Sequence, residues 1–494
     1  MAEQESDLKA QMRSKLRALQ AKGLDPYQRY KYARTHGTAK ILQDYANIGQ
    51  ERSKEEISTA GRIMAVRIHG KAGFADLQDR DGKVQIYVKM DEVGLERWEL
   101  FKSLDRGDMI GLKGHVFRTK MGEITVAVKE FDILTKALIP YPEKFHGLQD
   151  VQTRYRQRYL DLVMNEDVRQ RFVKRSRMVA FMREWLNKKG FLEVETPILQ
   201  PLYGGALARP FTTHHNFLDM DLYLRIAPEL YHKRCIVGDL EKVYEIGKNF
   251  RNEDIDAQHY PEYTSLELYE AYADYNDIMD LTESLLYDTA MHIVGSESIP
   301  YGDKVLDFRK PWPRITMHDA VQKYTGLDIS ALKTVDAAKD AAIKLGVRDI
   351  EECGELGKII SEIFDQKAQP HLINPIFVID HPLEVSPLAK RKRGNPQLVE
   401  RFELFINGWE FANAFSELND PAEQEQRFLE QERHKKEGDD EAHPIDRDYV
   451  RALEYGLPPT GGLGIGIDRF AMILTNAPSI KEVILFPHMK PEVV

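Results

Sequence analysis

Cysteine is almost missing from this chain: Cys235 and Cys353 are the only two in 494 residues. They form no paired spacing, so neither a disulfide framework nor a cysteine-based metal site is expected. A reducing compartment, the cytoplasm, is the expected location. Long apolar runs are missing too. No stretch approaches the ~20 apolar residues that span a bilayer, and the opening MAEQESDLKAQMRSKLRALQ holds no hydrophobic segment of the signal-peptide kind. No membrane partner is expected. Nor is there a GxxxxGK[ST] phosphate loop, so any bound ATP is held by another device. Positive net charge is absent: 69 Lys and Arg face 79 Asp and Glu, for a formal net charge of −10. That balance argues against indiscriminate nucleic-acid binding, and no DNA partner is expected, but a local basic surface remains open. No internal repeat or low-complexity tract occurs.

What is present is an ordinary globular mixture, 42% hydrophobic and 30% charged, long enough for two or three domains. Residues 1–56 read as a polar helical arm packing on the next segment of chain. Residues 57–140 change to short alternating runs, from ISTAGRIMAVRIHG to EITVAVKEFDIL, punctuated by turns such as Asp81-Gly82. Five such strands suit a small closed barrel, of which the oligonucleotide-binding barrel is one form. Residues 141–160, opening on Tyr141-Pro142, read as a hinge. From 161 to 494 helical and strand patterns mix, with a helix over 166–189 and broken helix over 271–370. The expected class is α+β. Basic residues crowd 154–177 (Arg154, Arg156, Arg158, Arg169, Arg171, Lys174, Arg175, Arg177), either as a solvated helix face or as a local anion-binding surface.

Three segments carry chemistry. The first is FRNEDIDAQHYPEYTSLELYEAY, 250–272. Read as strands 248–253 and 262–270 joined by a loop, it places Tyr263, Ser265, Glu267 and Tyr269 on one face and Leu266 and Leu268 on the other. Such a sheet packs on one side and binds on the other. Arg251 offers a planar fork for phosphate or carboxylate, with Glu253 and His259 close by in sequence. The second segment is ERFELFINGWEFANAFSELND, 400–420. Asn407-Gly408 predicts a two-residue hairpin, with Phe405 opposite Glu410, Leu404 opposite Phe411 and Glu403 opposite Ala412. Glu403 and Glu410 then become diagonal neighbours. They either hold a Mg²⁺ between them, with phosphate completing its shell, or face water. Strict alternation puts Asn413, Phe415 and Glu417 on the other face from Glu410, so one shared pocket would need a β-bulge. The third segment, LPPTGGLGIGIDRFAMIL at 457–474, is a glycine-rich strand that lets a ligand or backbone approach closely. A helix follows it, with Arg469 at the junction.

At these residues the chain resembles the class II aminoacyl-tRNA synthetases, the lysyl enzymes in particular. FRNE with HYPEYTSLELY resembles motif 2 (about 248–270) and GLGIGIDRFAM resembles motif 3 (about 460–475). KKGFLEVETPIL, 188–199, resembles the dimer-forming motif 1 (about 170–200), and GGALARPFTTHHN, LYLRIAPELY and FANAFSELND resemble lysyl-specific stretches. The resemblance implies an antiparallel catalytic sheet flanked by helices, an N-terminal OB-fold anticodon-binding barrel, and a homodimer through motif 1. It implies activation of L-lysine by ATP with Mg²⁺, then transfer to tRNA(Lys). It also implies roles. Arg251 holds the lysine carboxylate and the ATP α-phosphate, and adenine lies between Tyr263 and Arg469. Glu253 meets the adenine, His259 the outer phosphates, and Glu403 and Glu410 hold Mg²⁺. Gly205 and Glu229 meet the lysine α-amino group. Glu267, Tyr269 and Glu417 surround the ε-ammonium, and Asn413 and Phe415 line the pocket. On the barrel, Phe74 is the candidate for base stacking, or else a core residue, with Arg62, Gln85 and Glu123 as polar readers.

One departure stands in the motif 2 loop. Tyr260 follows Gln258-His259 where related enzymes often carry Asn. Other readings weighed are an aspartyl or asparaginyl enzyme, a ligase placing lysine on protein, and a binding protein that kept the fold. The first needs cationic or amide-binding groups where Glu267 and Glu417 stand, the second lacks a barrel, and the third conflicts with the presence of Arg251, Arg469, Glu403 and Glu410.

Overall fold

A computed structural model describes residues 2–142, 148–206, 208–350, 353–436 and 444–491. Two compact units divide after Asp150. Part of the expected hinge (143–147), and Leu207 within GGALARPFTTHHN, lie outside the described residues.

In the first unit, strands β1 (Ile57–His69), β2 (Ala72–Gln78), β3 (Lys83–Lys89), β4 (Met109–Arg118) and β5 (Ile124–Thr135) close a barrel in the order β1-β2-β3-β5-β4. The Asp81-Gly82 turn lies in the loop between β2 and β3, where Asp79 N donates to Gly82 O at 3.0 Å. Alternation does the building: Val84, Ile86 and Val88 of β3 point inward and are buried, while Gln85 and Tyr87 between them stay partly exposed. The first 56 residues are less helical than their composition predicts. Helix α1 (Ala2–Ala21) gives way to a single 3₁₀ turn, an extended stretch and a short helix at Thr38–Asp44. Gly23, Pro26 and Gly37 break the pattern. Leu19 and Ile41 anchor the segment in the barrel core, and Lys15 Nζ reaches Asp105 at 2.6 Å.

The second unit is built on an eight-stranded sheet. In chain order its strands are β6 (Leu192–Glu193), β7 (Lys242–Phe250), β8 (Glu262–Ala271), β9 (Arg314–Thr316), β10 (Ile376–Ile379), β11 (Arg401–Ile406), β12 (Trp409–Ser416) and β13 (Thr460–Gly466). They lie in the order β9-β10-β11-β12-β13-β8-β7-β6. Pairing is antiparallel from β10 to β7 and parallel at both outer pairs. Helices cover one face. Helix α2 (Glu166–Lys188) brings Met178, Met182 and Leu186, and the apolar Leu266 and Leu268 of β8 meet them in one core. Each such side chain contributes roughly 1.5–3 kcal/mol when fully buried. Helices α3 (Glu229–Val237), α4 (Tyr275–Ile293), α5 (Arg447–Gly456) and α6 (Ile467–Leu474) complete the frame used below.

Strand β7 begins at Lys242 and ends at Phe250, so Arg251 and Glu253 lie in the loop beyond it, with Arg251 N still donating to Pro261 O at 2.9 Å. The tail of the expected hinge is helical from Val151 to Arg156 and from Arg158 to Met164. The stretch 271–370 holds a β-hairpin, Ser298–Tyr301 with Lys304–Asp307, among its helices. The basic run 154–177 turns largely inward. Arg158 is fully buried against Asp161 at 2.6 Å, Arg171 pairs with Glu482 at 2.5 Å, and Arg154 bonds both Asp161 and Glu482. These cations serve folding rather than an outer surface.

Candidate active site

The face of the sheet opposite the helical core opens into a cavity of about 450 Å³, a size suited to small ligands. Alternation along β8 delivers Tyr263, Ser265, Glu267 and Tyr269 to it. Strand β12 delivers its residues by a device the sequence leaves hidden. The Asn407-Gly408 turn forms, with φ of 56° and 74°, and Ile406 opposes Trp409 and Phe405 opposes Glu410 as expected. The register then slips, so that Leu404 opposes Ala412 and Glu403 opposes Asn413. Phe411 is the extra residue of a bulge and is buried in the core. The slip rephases the strand, so Glu410, Asn413, Phe415 and Glu417 all line the same cavity as Glu403. The diagonal Glu403–Glu410 relation expected from strict pairing is therefore replaced by approach across a bulge.

One end of the cavity is acidic and buried. Glu229 begins helix α3, and Gly205 packs against it: a Cβ at Gly205 would lie 3.0 Å from the Glu229 Cβ. One helical turn later, Lys233 reaches back to Glu229 Oε1 at 2.5 Å and also ion-pairs with Glu417. Neither oxygen of Glu417 accepts a well-formed hydrogen bond, despite full burial. Glu267 receives Asn249 Nδ2 at 3.2 Å. Gly462, next to β8, makes room for the group: a Cβ there would overlap Glu417 Oε1 and lie 2.5 Å from Tyr269 Cε1. Burial, then the charge of Glu229, pushes the Glu267 carboxyl up to about 8. Burial raises Glu229 and Glu417 as well, against the pull of Lys233, and the two carboxylates hold the Lys233 ammonium protonated in spite of its own burial. Burial is the first cause of each carboxyl shift, and the crowding of the three carboxylates adds to it.

The other end is more open and carries arginine. The Arg251 guanidinium sits over the Tyr263 ring, 5.3 Å from its centroid, and its Nε has no hydrogen-bond partner. Arg469, in the first turn of α6, donates to Glu410 O at 2.6 Å and lies 3.0 Å from His259 Nε2. His259 Nδ1 is 2.7 Å from Asp256, and Glu253 is exposed on the same loop. Tyr260 is buried. Its hydroxyl accepts the His488 N–H and its ring stacks on His488, centroids 5.9 Å apart. Burial, then the charge of Glu403, raises the Glu410 carboxyl, while Glu403 pairs with Arg401 at 2.5 Å. Two oxygen-donor side chains beside an open phosphate-sized space fit a Mg²⁺ whose remaining ligands come from phosphate and water. Among the described residues no cluster of three or more metal-ligating side chains occurs.

On the barrel, Phe74 is half-buried and packs against Tyr87, ring centroids 5.0 Å apart. Gln85 Nε2 donates to Glu123 at 2.7 Å, so three of the four candidate readers lie on or beside strands β2 and β3. Arg62 is engaged elsewhere, donating to Gly107 O at 2.8 Å and lying over Tyr141. The arginine directly across from Phe74 is Arg67, held by Asp76 at 2.6 Å.

Residues 150–490 match the family described as tRNA synthetases class II (D, K and N), and residues 57–134 match the OB-fold nucleic acid binding domain. The chain belongs to the class II tRNA synthetases. Similar proteins include the lysine–tRNA ligase of Carboxydothermus hydrogenoformans, 54% identical over 97% of this chain and 96% of that protein. Those of Moorella thermoacetica (52%, covering 99% of both chains) and Pelotomaculum thermopropionicum (53%, covering 99% of this chain and 96% of that protein) are similar as well. The ligase fold expected from the motifs, a class II catalytic unit with an OB-fold barrel, is present.

Within this synthetase framework some residues escaped sequence reasoning. Lys233 is one, although its spacing four residues after Glu229 on a helix is a visible signal. Asp468 is another. It accepts Thr264 N at 2.7 Å and Arg175 at 2.6 Å, tying motif 1 to motif 2 beside Arg469. Arg67 is the third, and only strand register identifies it.

Proposed function

We propose that this chain is an ATP-dependent lysine–tRNA ligase, which activates L-lysine as lysyl-adenylate and transfers it to the 3′ end of tRNA(Lys). The observation that carries the substrate is the acidic end of the cavity, where Glu229 and Glu417 share the ammonium of Lys233 and Glu267 stands beside Glu229 with no ammonium of its own. A desolvated site of this kind calls for a ligand bearing positive charge. It rejects neutral analogues by ~10⁴-fold or more, because they leave its carboxylates unpaired. The full-length similarity to lysine–tRNA ligases supports the same substrate.

In this reading Gly205 and Glu229 take the α-ammonium. Glu267, Tyr269 and Glu417 take the ε-ammonium, with Asn413 and Phe415 as walls. Arg251 orients the lysine carboxylate against the α-phosphate. Adenine lies between Tyr263 and Arg469, near Glu253, and His259 faces the outer phosphates. Glu403 and Glu410 would hold Mg²⁺, which supplies charge neutralisation for the phosphates. A carboxylate oxygen of lysine attacks the α-phosphorus and the bond to pyrophosphate breaks. The terminal ribose hydroxyl then attacks the acyl carbon and AMP leaves. No protein nucleophile is needed: catalysis is positioning and charge neutralisation, in which Arg251 and Arg469 are the catalytic residues. The barrel reads the anticodon, with Phe74 stacking and Arg62, Gln85 and Glu123 as polar contacts, joined by Arg67, which register places across from Phe74. The exposed Leu192, Ile198, Leu199 and Leu202 beside motif 1 support a homodimer, and free Cys235 and Cys353 support a cytoplasmic location.

The test is aminoacylation of purified tRNA(Lys) with labelled lysine, ATP and Mg²⁺. Lysine-specific charging is expected. Failure to charge tRNA(Lys) with lysine, under conditions where a known lysine–tRNA ligase does so, overturns the reading.

A further inference from the structure

Lys233 lies behind the acidic end of the cavity and ion-pairs with two of the carboxylates that line it, and the scheme above gives it no part. It is fully buried on α3, one turn after Glu229. Its ammonium touches Glu229 and Glu417 and is walled by the rings of Phe415 (5.5 Å) and Tyr449 (5.9 Å). Tyr449, on α5, is itself fully buried, and its hydroxyl has no hydrogen-bond partner.

We propose that Lys233 is a positioning residue of the amino-acid pocket: its ammonium fixes the two carboxylates that receive the substrate's α- and ε-ammonium groups. The inference rests on the lysine reading above and deepens it. The groups facing Lys233 are Glu229 on its own helix, Glu417 after β12, and Tyr449 on α5; Glu267 and Tyr269 on β8 stand next to the two carboxylates rather than on the ammonium. Arg234 lies beyond the Tyr449 ring at 5.5 Å, and Arg401 is committed to Glu403 and Asn413. Glu229 and Glu417 on one ammonium leave the pocket short of one positive charge, and Glu267 adds a second once it gives up its proton to bind. Lysine carries two ammonium groups, so the buried charges close when it binds. An uncharged residue at position 233 would leave the pocket short of three. The carboxylates would then take up protons, and the substrate would meet carboxylic acids where it needs carboxylates. Lys233 also bridges residues that arrive from two distant parts of the chain, 229 and 417, and so sets the separation at which two ammonium groups can be held.

The experiment is lysine-dependent ATP–pyrophosphate exchange by the full chain and by K233M, across pH 6–9. For K233M the KM for lysine should rise tenfold or more at pH 7 while the KM for ATP stays within twofold. The acid limb of kcat/KM for lysine should move to higher pH. An unchanged lysine KM and pH profile overturns the inference, as does an equal loss for lysine and ATP, which marks a merely structural role. Should K233M fail to fold, E417Q and K233M/E417Q replace it, since the double variant removes one charge of each sign. The double variant should lose no more than about threefold beyond E417Q, because Lys233 acts through the carboxylates. A further tenfold loss contradicts that. Absence of exchange by the unmodified chain would instead count against the lysine reading itself.

Discussion

The two ends of the cavity are built on opposite principles. At the proposed amino-acid end, charges are buried and crowded, and one cation, Lys233, is shared between Glu229 and Glu417. At the phosphate end, the charged groups stand on a loop and at a helix start, and several of their contacts are with each other, as in Asp256–His259–Arg469. The first arrangement selects by desolvation and geometry: a wrong ligand leaves a carboxylate unpaired at high cost. The second stabilises charge that develops during reaction, and its contacts can be exchanged for those of a nucleotide. On the proposed reading, specificity resides in the buried end and rate in the more open one.

Substitutions should separate the two. Arg251→Ala should have the largest effect, lowering kcat for lysine-dependent exchange by roughly 10²–10³-fold, as removal of a transition-state charge partner does; steady-state kinetics at saturating lysine and ATP would show it. Glu267→Gln should act mainly on lysine, raising its KM by about 10-fold or more through loss of a charge-assisted contact of roughly 1.5–3 kcal/mol, with the KM for ATP little changed. An equal effect of both substitutions on both substrates would erase the distinction.

Much of the phosphate end was legible in the sequence. Period-two alternation assigned the faces of β8, and the Asn-Gly pair located the β11–β12 turn. What alternation alone left undetermined was β12 beyond Glu410, because a bulge is a tertiary adjustment with no fixed residue signature. It forms where Phe411 gains a place in the core. Lys233 is illegible for a related reason: a lysine on a helix is usually solvated, and only the packing of Phe415, Tyr449 and Glu417 around it reveals otherwise. The basic run 154–177 shows the same limit, since composition does not say which way an arginine points.

Gly462→Ala probes the acidic end without touching its charges. The added methyl overlaps Glu417 Oε1, so the KM for lysine should rise while the fold, followed by thermal unfolding, loses about 1–3 kcal/mol from overpacking.

The pH dependence arises from Glu267. Its carboxyl, held up to about 8 by burial and the charge of Glu229, carries a proton at neutral pH when the pocket is empty. Pairing with an ammonium requires its loss, so lysine should bind more tightly as pH rises from 6.5 towards 8, with proton release, and level off above. For stability the sign is reversed. The raised folded-state value favours the empty folded protein fully below the ordinary carboxyl range, and that contribution is lost as pH climbs through about 8. Calorimetric titration in buffers of different ionisation enthalpy measures the released proton.

The smallest expected effect lies on the barrel. Phe74→Ala should weaken tRNA(Lys) binding by ~1–3 kcal/mol and leave pyrophosphate exchange unaltered, whereas Arg62→Ala should disturb tRNA binding less than Arg67→Ala.

The most direct test of the central claim is ATP–pyrophosphate exchange by the unmodified protein with Mg²⁺, assayed separately with each of the twenty amino acids. Exchange with lysine alone is predicted. Exchange driven equally well by a neutral or acidic amino acid would contradict the account.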